Sequence, residues 1–489
     1  MLSNIRVLFL ILLFSSVSFA QKGTHTPYSI LGVGELMGND YAAFMSMGGV
    51  SMANTDSSKI NHGNPALYSY AGRFRPIFQV GMNGRFSRFE TETTTTNQRH
   101  FGLNQFQLGI PIKKRWGAAL GLKPYSFTGY KISNYIVEEG DTTQLYTNEG
   151  SGGINQFYLG VAYQPLYFGH AKLKPRKLKD STGTYTDTVS LTRHHTLSIG
   201  ANTNFLFGTS TRTRTYQFSD QVSEVNSRVD NGLRVSGLTY DFGLNYQLKW
   251  GVANAEGKKL RKYSFSFGAS YSPGLKIKAN QDLFAYSYVS QGSKFNGSEL
   301  FRDTIEYISD NQGSIFIPES YKGGFEFRIG PIDVDKKSSL LRIGVDARYQ
   351  KWSAYYEDFG PTFDNQLKDR LQLGLGLEWT PISIVTLPRT SFFSKMSYRL
   401  GFTYTMTELQ FETSPNNYTG LTSYGMSFGL GIPVTMIPNS NTNINFGASL
   451  GNLGTTDNGL IQERYIGLFV GLSITPGRGD LWFLKRKYD

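Results

Sequence analysis

The sequence predicts an all-β fold: a transmembrane antiparallel β-barrel of about 14 strands, with an N-terminal segment plugging the lumen. Three observations carry this. The first is an export leader followed by no second long apolar run. The second is strict two-residue alternation, sustained over stretches longer than soluble strands usually reach. The third is the placement of Tyr and Trp at the ends of the apolar faces.

The chain has 489 residues, 39% of them hydrophobic, with a formal net charge of +12 and no Cys. Crossing a bilayer by helices needs about 20 consecutive apolar residues per span, and the composition does not supply several. An aromatic content of 14% is high for a chain that stays unfolded. The lack of Cys excludes a disulfide scaffold, a thiolate metal site, a Cys nucleophile and a lipidated Cys.

Residues 1–20 carry one positive charge, Arg6, an apolar core from Val7 to Phe14, and small residues at Ser18 and Ala20 before Gln21. That is the pattern of a secretory leader, with a core too short for an anchor.

Residues 21–73 come next and alternate poorly. They contain Pro27-Tyr28-Ser29, the run from Ala42 to Ala53, and the turn-forming Asn64-Pro65. The segment is apolar enough to need burial. Two homes fit it: the lumen, as a plug, or the periplasmic rim, as a strap. A barrel of about 14 strands is wider than the filled eight-strand type, which favours the lumen.

From residue 74 the alternation begins. Over Leu238–Trp250 the even positions are Leu, Tyr, Phe, Leu, Tyr, Leu and Trp; the odd ones are Thr, Asp, Gly, Asn, Gln and Lys. One face is apolar and the other polar. The pattern recurs in 263–272, 371–380 and 465–475, where Phe469 is the one large residue on the small-residue face. A soluble sandwich also alternates. These strands, however, run about 10–13 residues, close to the 9–11 that cross a bilayer at a tilt. Their apolar faces end in Trp250, Trp379, Tyr398 and Tyr404, as aromatic girdles do. Lipid offers no hydrogen-bond partners, so the sheet must close on itself.

The expected strands are 75–89, 100–112, 115–131, 153–164, 194–207, 235–250, 262–276, 321–330, 339–352, 369–380, 395–408, 420–433, 441–450 and 464–475. The runs 209–218 and 282–290 are either hairpin extensions above the membrane or two further wall strands, making about 16. The outside segment 277–320 is rich in aromatics and reads as a folded lid, a binding surface or a stapled hairpin. The inside turn 165–193 carries Lys172, Lys174, Arg176, Lys177 and Lys179. It reads as a solvated turn or as a docking surface for an acidic partner or headgroups. Residues 476–489 form a periplasmic tail in which Trp482, Phe483 and Lys485–Lys487 suit a lipid interface.

The polar faces carry one concentration of charge: Glu326, Arg328, Arg342, Asp346, Arg348, Glu378 and Arg399, on successive strands. A network gripping the plug, a selectivity filter and solvated charge balance are the alternatives. Interleaved signs favour the grip over a filter, which usually shows a ring of one sign. No set of residues supports catalysis, so the chain is expected not to be an enzyme, with no cofactor and no metal. His194 and His195 are adjacent and point to opposite faces of a strand. Nucleic acid is not an expected partner of an exported barrel; outer-membrane lipid is.

Met47-Gly48-Gly49 followed by Asn64-Pro65-Ala66, ahead of about 14 strands, resembles the long-chain fatty acid transporter (FadL-like) family of the outer membrane. Pro27-Tyr28-Ser29 with Gly32, Gly34 and Glu35, and the tail from Trp482, are similar to its relatives in the Bacteroidetes. Leu67 stands where that family often has Gly after Asn-Pro-Ala. The resemblance implies a hatch, 21–73, inside the barrel, 74–475. It also implies passive uptake of a hydrophobic or amphipathic small molecule. The alternative is a non-transporting accessory subunit of a secretion, assembly or uptake complex.

Overall fold

The computed structural model describes residues 24–475, apart from 39–40, 72–74, 139–140, 181–182, 220–224, 254–258, 292–294, 296–297, 331–338, 360–366, 382–390, 416 and 435–441. The leader (1–20) and the tail (476–489) therefore lie outside the described residues, as do the side chains of the basic run 171–180.

Fourteen strands form the wall. They are β1 (Ile77–Glu90), β2 (Thr95–Lys113), β3 (Trp116–Phe127), β4 (Asp141–Asp180), β5 (Gly183–Phe218), β6 (Asn226–Ala253) and β7 (Lys259–Ser272). They continue with β8 (Ser320–Gly330), β9 (Leu340–Gln350), β10 (Arg370–Thr380), β11 (Ser397–Ser414), β12 (Asn417–Val434), β13 (Thr442–Leu453) and β14 (Gln462–Ile474). Each pairs antiparallel with its neighbours in this order, and β14 closes onto β1 from Gln462↔Glu90 to Ile474↔Phe78. The wall therefore has no edge, the one sheet arrangement that lipid tolerates. Among the described residues no helix is long and apolar enough to cross a membrane.

Burial is inside-out relative to a soluble protein. Leu238, Phe242, Leu375 and Leu450 are about half exposed, whereas Gln79, Ser198, Asn245, Asn445 and Ser473 are fully buried. The apolar faces form an outer belt, and the polar faces line a filled interior. This is an outer-membrane-type barrel.

The runs 209–218 and 282–290 belong to extensions, not to the wall, so the count is 14. The first continues β5. The second belongs to a hairpin, Leu275–Gln291 with Ser298–Ile317, that pairs with the outer half of β6 from Lys278↔Ser236 to Tyr288↔Asn226. β6 thus leaves β7 and takes a new partner above the membrane. Three expected boundaries shift for the same reason. The strand expected over 115–131 ends in the wall at Phe127, and Tyr130–Glu138 turns out to pair with the outer half of β4. The strand expected over 262–276 ends at Ser272, and pairing resumes at Leu275 in the hairpin. The expected turn 165–193 is mostly paired backbone, because β4 and β5 resume pairing after a register shift at Tyr163/Leu166 and continue to Asp180↔Gly183.

The described residues of the stretch 24–71 lie within the barrel and its outer mouth. The chain starts at the outer end, where Glu35–Leu36 pairs with Ser126–Phe127 at the top of β3. It descends through the short helix Ala42–Met45 and the 3-10 turn Pro65–Tyr70 to enter the wall at its inner end. The outer end is defined by the long connections, which face the cell exterior in such barrels.

Candidate functional site

The interior has two chemically distinct parts. The middle is polar and holds the N-terminal segment by its backbone. Small inward positions let that backbone approach. A Cβ on Gly401 would fall 1.9 Å from the Gly48 nitrogen, one on Gly268 1.9 Å from the Met52 oxygen, and one on Gly200 2.5 Å from Pro65. Gly117, Gly243, Gly374 and Gly376 meet the same segment as closely. The polar face of the wall is thus a ring of gaps filled by main chain.

Met47-Gly48-Gly49 and Asn64-Pro65-Ala66 both sit against the inward face of the wall. Gly48 (φ +66°) and Gly49 (φ +78°) are both left-handed, which turns the chain tightly. A Cβ on Gly48 would also lie 2.5 Å from the Phe402 oxygen. Gly48 donates to Ser427 Oγ at 3.1 Å, and its carbonyl accepts from Thr403 Oγ1 at 3.1 Å. Asn64 caps the 3-10 turn by accepting from the Ala66 nitrogen at 3.2 Å, and donates to Met52 O at 2.8 Å and to Leu244 O at 3.2 Å. One side chain therefore ties two parts of the segment to β6. Tyr68 donates to Asn202 Oδ1 at 3.0 Å.

Four of the charged residues meet in one row. In register, Arg328 faces Arg342, Arg342 faces Glu378, and Glu378 faces Arg399, across β8 to β11. Arg342, almost fully buried, lies 3.4 Å from Glu378, 3.5 Å from Glu326 and 3.4 Å from Asp56 of the N-terminal segment. Arg399 lies 2.6 Å from Glu378 and donates to Asn445 Oδ1 at 2.8 Å; Asn445 in turn donates to Tyr41 at 2.9 Å. Lys59 bridges Asp56 at 2.8 Å and Glu378 at 3.8 Å. One level outward, Asp346 Oδ2 accepts from the nitrogens of Ser51 and Met52 at 2.7 and 2.9 Å, and Arg348 donates to Gly49 O at 2.5 Å. In a low-dielectric interior such charges are tolerable only when paired and hydrogen-bonded together.

Asp56 and Lys59 did not stand out in the sequence as members of this cluster. Their spacing of three was the available signal, in a segment otherwise made of small residues. Arg85 was also missed. It joins Glu35 of the segment at 2.9 Å and Glu463 of β14 at 2.8 Å. His194 and His195 pack at the inner end, where the His195 ring stacks on Phe168 with centroids 4.8 Å apart and its Nδ1 is 2.7 Å from the Tyr246 hydroxyl.

The outer end is apolar. Tyr28 and Val33 of the segment pack with Ile277, Ile315, Trp352 and Tyr355 of the outer connections and with Leu409, Leu421 and Leu453 of the wall. Together they make a core above the lumen. Within it, burial pushes the Glu357 carboxyl up, opposed by the Arg212 guanidinium 3.7 Å away. Between lid and polar middle lies a cavity of about 270 Å³. Tyr28, Leu36, Leu409 and Leu453 line it together with the charged Glu35, Arg85, Arg348, Arg370 and Glu408. A second cavity of about 160 Å³ lies beside His62, Lys123 and Asp241.

A family model described as BamG matches residues 1–168 and 186–489. The chain belongs to the BamG family. The stretch between the two matched parts falls at the inner end of the β4–β5 hairpin of this BamG-family chain. None of the curated proteins matches it. Among solved structures it is similar to the Ralstonia pickettii toluene transporter TbuX, at 12% identity and a TM-score of 0.48, covering 90% of this chain and 98% of that one. It is also similar to a Pseudomonas aeruginosa FadL homologue, at 12% identity and a TM-score of 0.45, covering 90% and 99%. A third is the Pseudomonas putida toluene transporter TodX, at 14% identity and a TM-score of 0.43, covering 91% and 99%. Identities and scores this low carry no functional inference.

Proposed function

We propose that this BamG-family chain is a gated barrel of the cell outer membrane that passively takes up a hydrophobic or amphipathic small molecule. The observation that carries this reading is the 270 Å³ cavity enclosed between an apolar lid and an ion-paired hatch. Its lining mixes apolar and charged side chains, which suits a molecule with an apolar body and a polar end. The proposed division of the chain is a leader over 1–20, a hatch over 21–73, a barrel over 74–475 and a periplasmic tail over 476–489. Within it, Met47, Gly48, Gly49, Asn64, Pro65 and Ala66 seat the hatch. Glu326, Arg328, Arg342, Asp346, Arg348, Glu378 and Arg399 grip it. The kinship with FadL-like barrels of the Bacteroidetes type is part of the same proposal. The test is binding and passage: a photoreactive amphiphile added outside proteoliposomes should label residues 28–36 and 403–409 and then appear inside. Labelling confined to the outer belt, with no passage, would sink the reading.

A second reading is favoured by a separate observation. The outer hairpin and its neighbour expose Tyr135, Val137, Phe301, Ile305 and Tyr307, each more than half accessible and well above the belt. Water-exposed apolar residues grouped this way suit a protein partner, as in an accessory subunit of an outer-membrane complex. Solubilisation from native membranes in mild detergent decides here. A stoichiometric partner lost on Phe301→Ser/Tyr307→Ser supports this reading, and a lone barrel counts against it.

A further inference from the structure

The outer belt is not uniform around its circumference. On one side the upper edge is aromatic and acidic. Tyr271 and Tyr321 rings lie 5.0 Å apart, Tyr321 donates to Glu319 at 3.1 Å, and Tyr349 donates to Asp369. On the other side, over β14, β1 and β2, the same level is basic. Arg464 and Arg88 are directly opposed in the β14–β1 ladder, and Arg99 faces Phe86 in the next. All three are exposed and outward-facing, on the same alternation as the apolar residues below them. One carboxylate shares the patch: Glu90 lies 2.7 Å from Arg88 and 3.6 Å from Arg464. Three guanidiniums against one carboxylate leave the edge positive.

Directly below runs a groove of about 1160 Å³ in the lipid-facing surface, lined by Phe86, Met426, Phe428, Leu450 and Ile466. It exceeds the ~300–1,000 Å³ range of clefts that hold drug-sized ligands, and it opens sideways into the belt, away from the lumen.

The geometry points to a binding site on the outer wall for a single class of occupant: an anionic, phosphate-bearing lipid of the outer leaflet, its acyl chains in the groove and its phosphate on Arg88, Arg99 and Arg464. Charge complementarity selects the occupant. An arginine at a lipid-facing position is costly in hydrocarbon and becomes favourable at the interface when an anionic headgroup pairs with it. Guanidinium also meets phosphate oxygens in a bidentate fork, which a zwitterionic headgroup with its own ammonium cannot match as well. A cation near an anionic surface contributes about 1 kcal/mol, a fivefold change in affinity per arginine. This inference is independent of what passes through the lumen.

The test uses the full chain in detergent, titrated with dimyristoyl phosphatidic acid or dimyristoyl phosphatidylcholine and read by native mass spectrometry. The expected result is one retained phosphatidic acid, weakened about fivefold by R464Q alone and about a hundredfold by R88Q/R99Q/R464Q. The triple lysine variant keeps the charge and loses the bidentate fork, so its binding should fall between the unmodified chain and the glutamine triple. R234Q, an exposed arginine paired with Asp282 on the other side, should change nothing. Equal thermal unfolding of all variants in phosphatidylcholine shows that folding is intact. Equal retention of both lipids, or an unweakened glutamine triple, overturns the proposal. A photocrosslinker at Leu450 in native membranes gives the second arm: lipid adducts support it, and a protein adduct assigns the groove to a membrane partner and overturns it.

Discussion

The middle of the lumen and its outer end are built from the same chain segment and bury it by opposite chemistry. Residues 41–70 are held by main-chain hydrogen bonds, glycine gaps and a buried ion cluster centred on Arg342. Residues 28–33 are held by an apolar core of Trp352, Tyr355, Leu421 and their neighbours. The difference is one of specificity. An apolar core accepts many arrangements of similar volume, whereas a buried charge cluster tolerates only arrangements that satisfy every member. On the proposed reading, the hatch is registered by its polar middle and the outer end serves as an adaptable seal.

The largest effect that could break this comparison comes from removing residues 21–60. Channel steps should appear in planar bilayers where the full chain is silent. A folded deletion variant that stays silent would mean that the outer connections seal the barrel without the hatch. Next in size, Arg342→Met leaves Asp56, Glu326 and Glu378 facing one another. Breaking a buried pair costs about 3–5 kcal/mol, so the denaturation midpoint should drop clearly, with hatch residues becoming protease-sensitive. Leu421→Ala, in the outer core, should cost about 2–5 kcal/mol yet leave the hatch protected. Loss of that protection would show that the two regions unfold as one.

A smaller effect concerns pH. The folded Glu357 carboxyl titrates above its unfolded range, because burial outweighs Arg212. Between the two values the folded state binds more protons, so the outer core should weaken as pH rises through that window. Glu357→Gln should flatten the slope in a hydrogen-exchange series across mildly acidic pH. The smallest effect belongs to Arg234→Ala. Its pair with Asp282 is largely exposed, and such pairs contribute about 0–1 kcal/mol, so no measurable shift in midpoint is expected.

Much of the wall was legible because period-two alternation needs only a two-faced sheet. Leu238–Trp250 and Leu371–Thr380 each announce which side meets lipid, and in both the apolar side is the exposed one. The limits of legibility follow from the same rule. In β5 the apolar face stops at Phe207 and a Thr/Arg run follows, which marks a change but does not say whether 209–218 extends the strand or forms another wall strand. The partner switch of β6 at Ser236 is silent, because a strand's own pattern does not name its neighbour. In the lumen, the charges on β8 to β11 stood out, since a charged residue on a strand of glycine and serine is conspicuous. Asp56 and Lys59 did not, because their segment has no period to violate.

The sequence by itself determined the wall's two faces and the need to close, both consequences of a solvent that offers the backbone no partners, while the count of 14 rather than about 16 came from the strand pairing. Tertiary structure alone decided what fills the barrel. Which glycine meets which carbonyl, and which carboxylate completes Arg342, depend on contacts between residues up to several hundred positions apart. Such contacts are set by barrel closure and register, which no local pattern encodes.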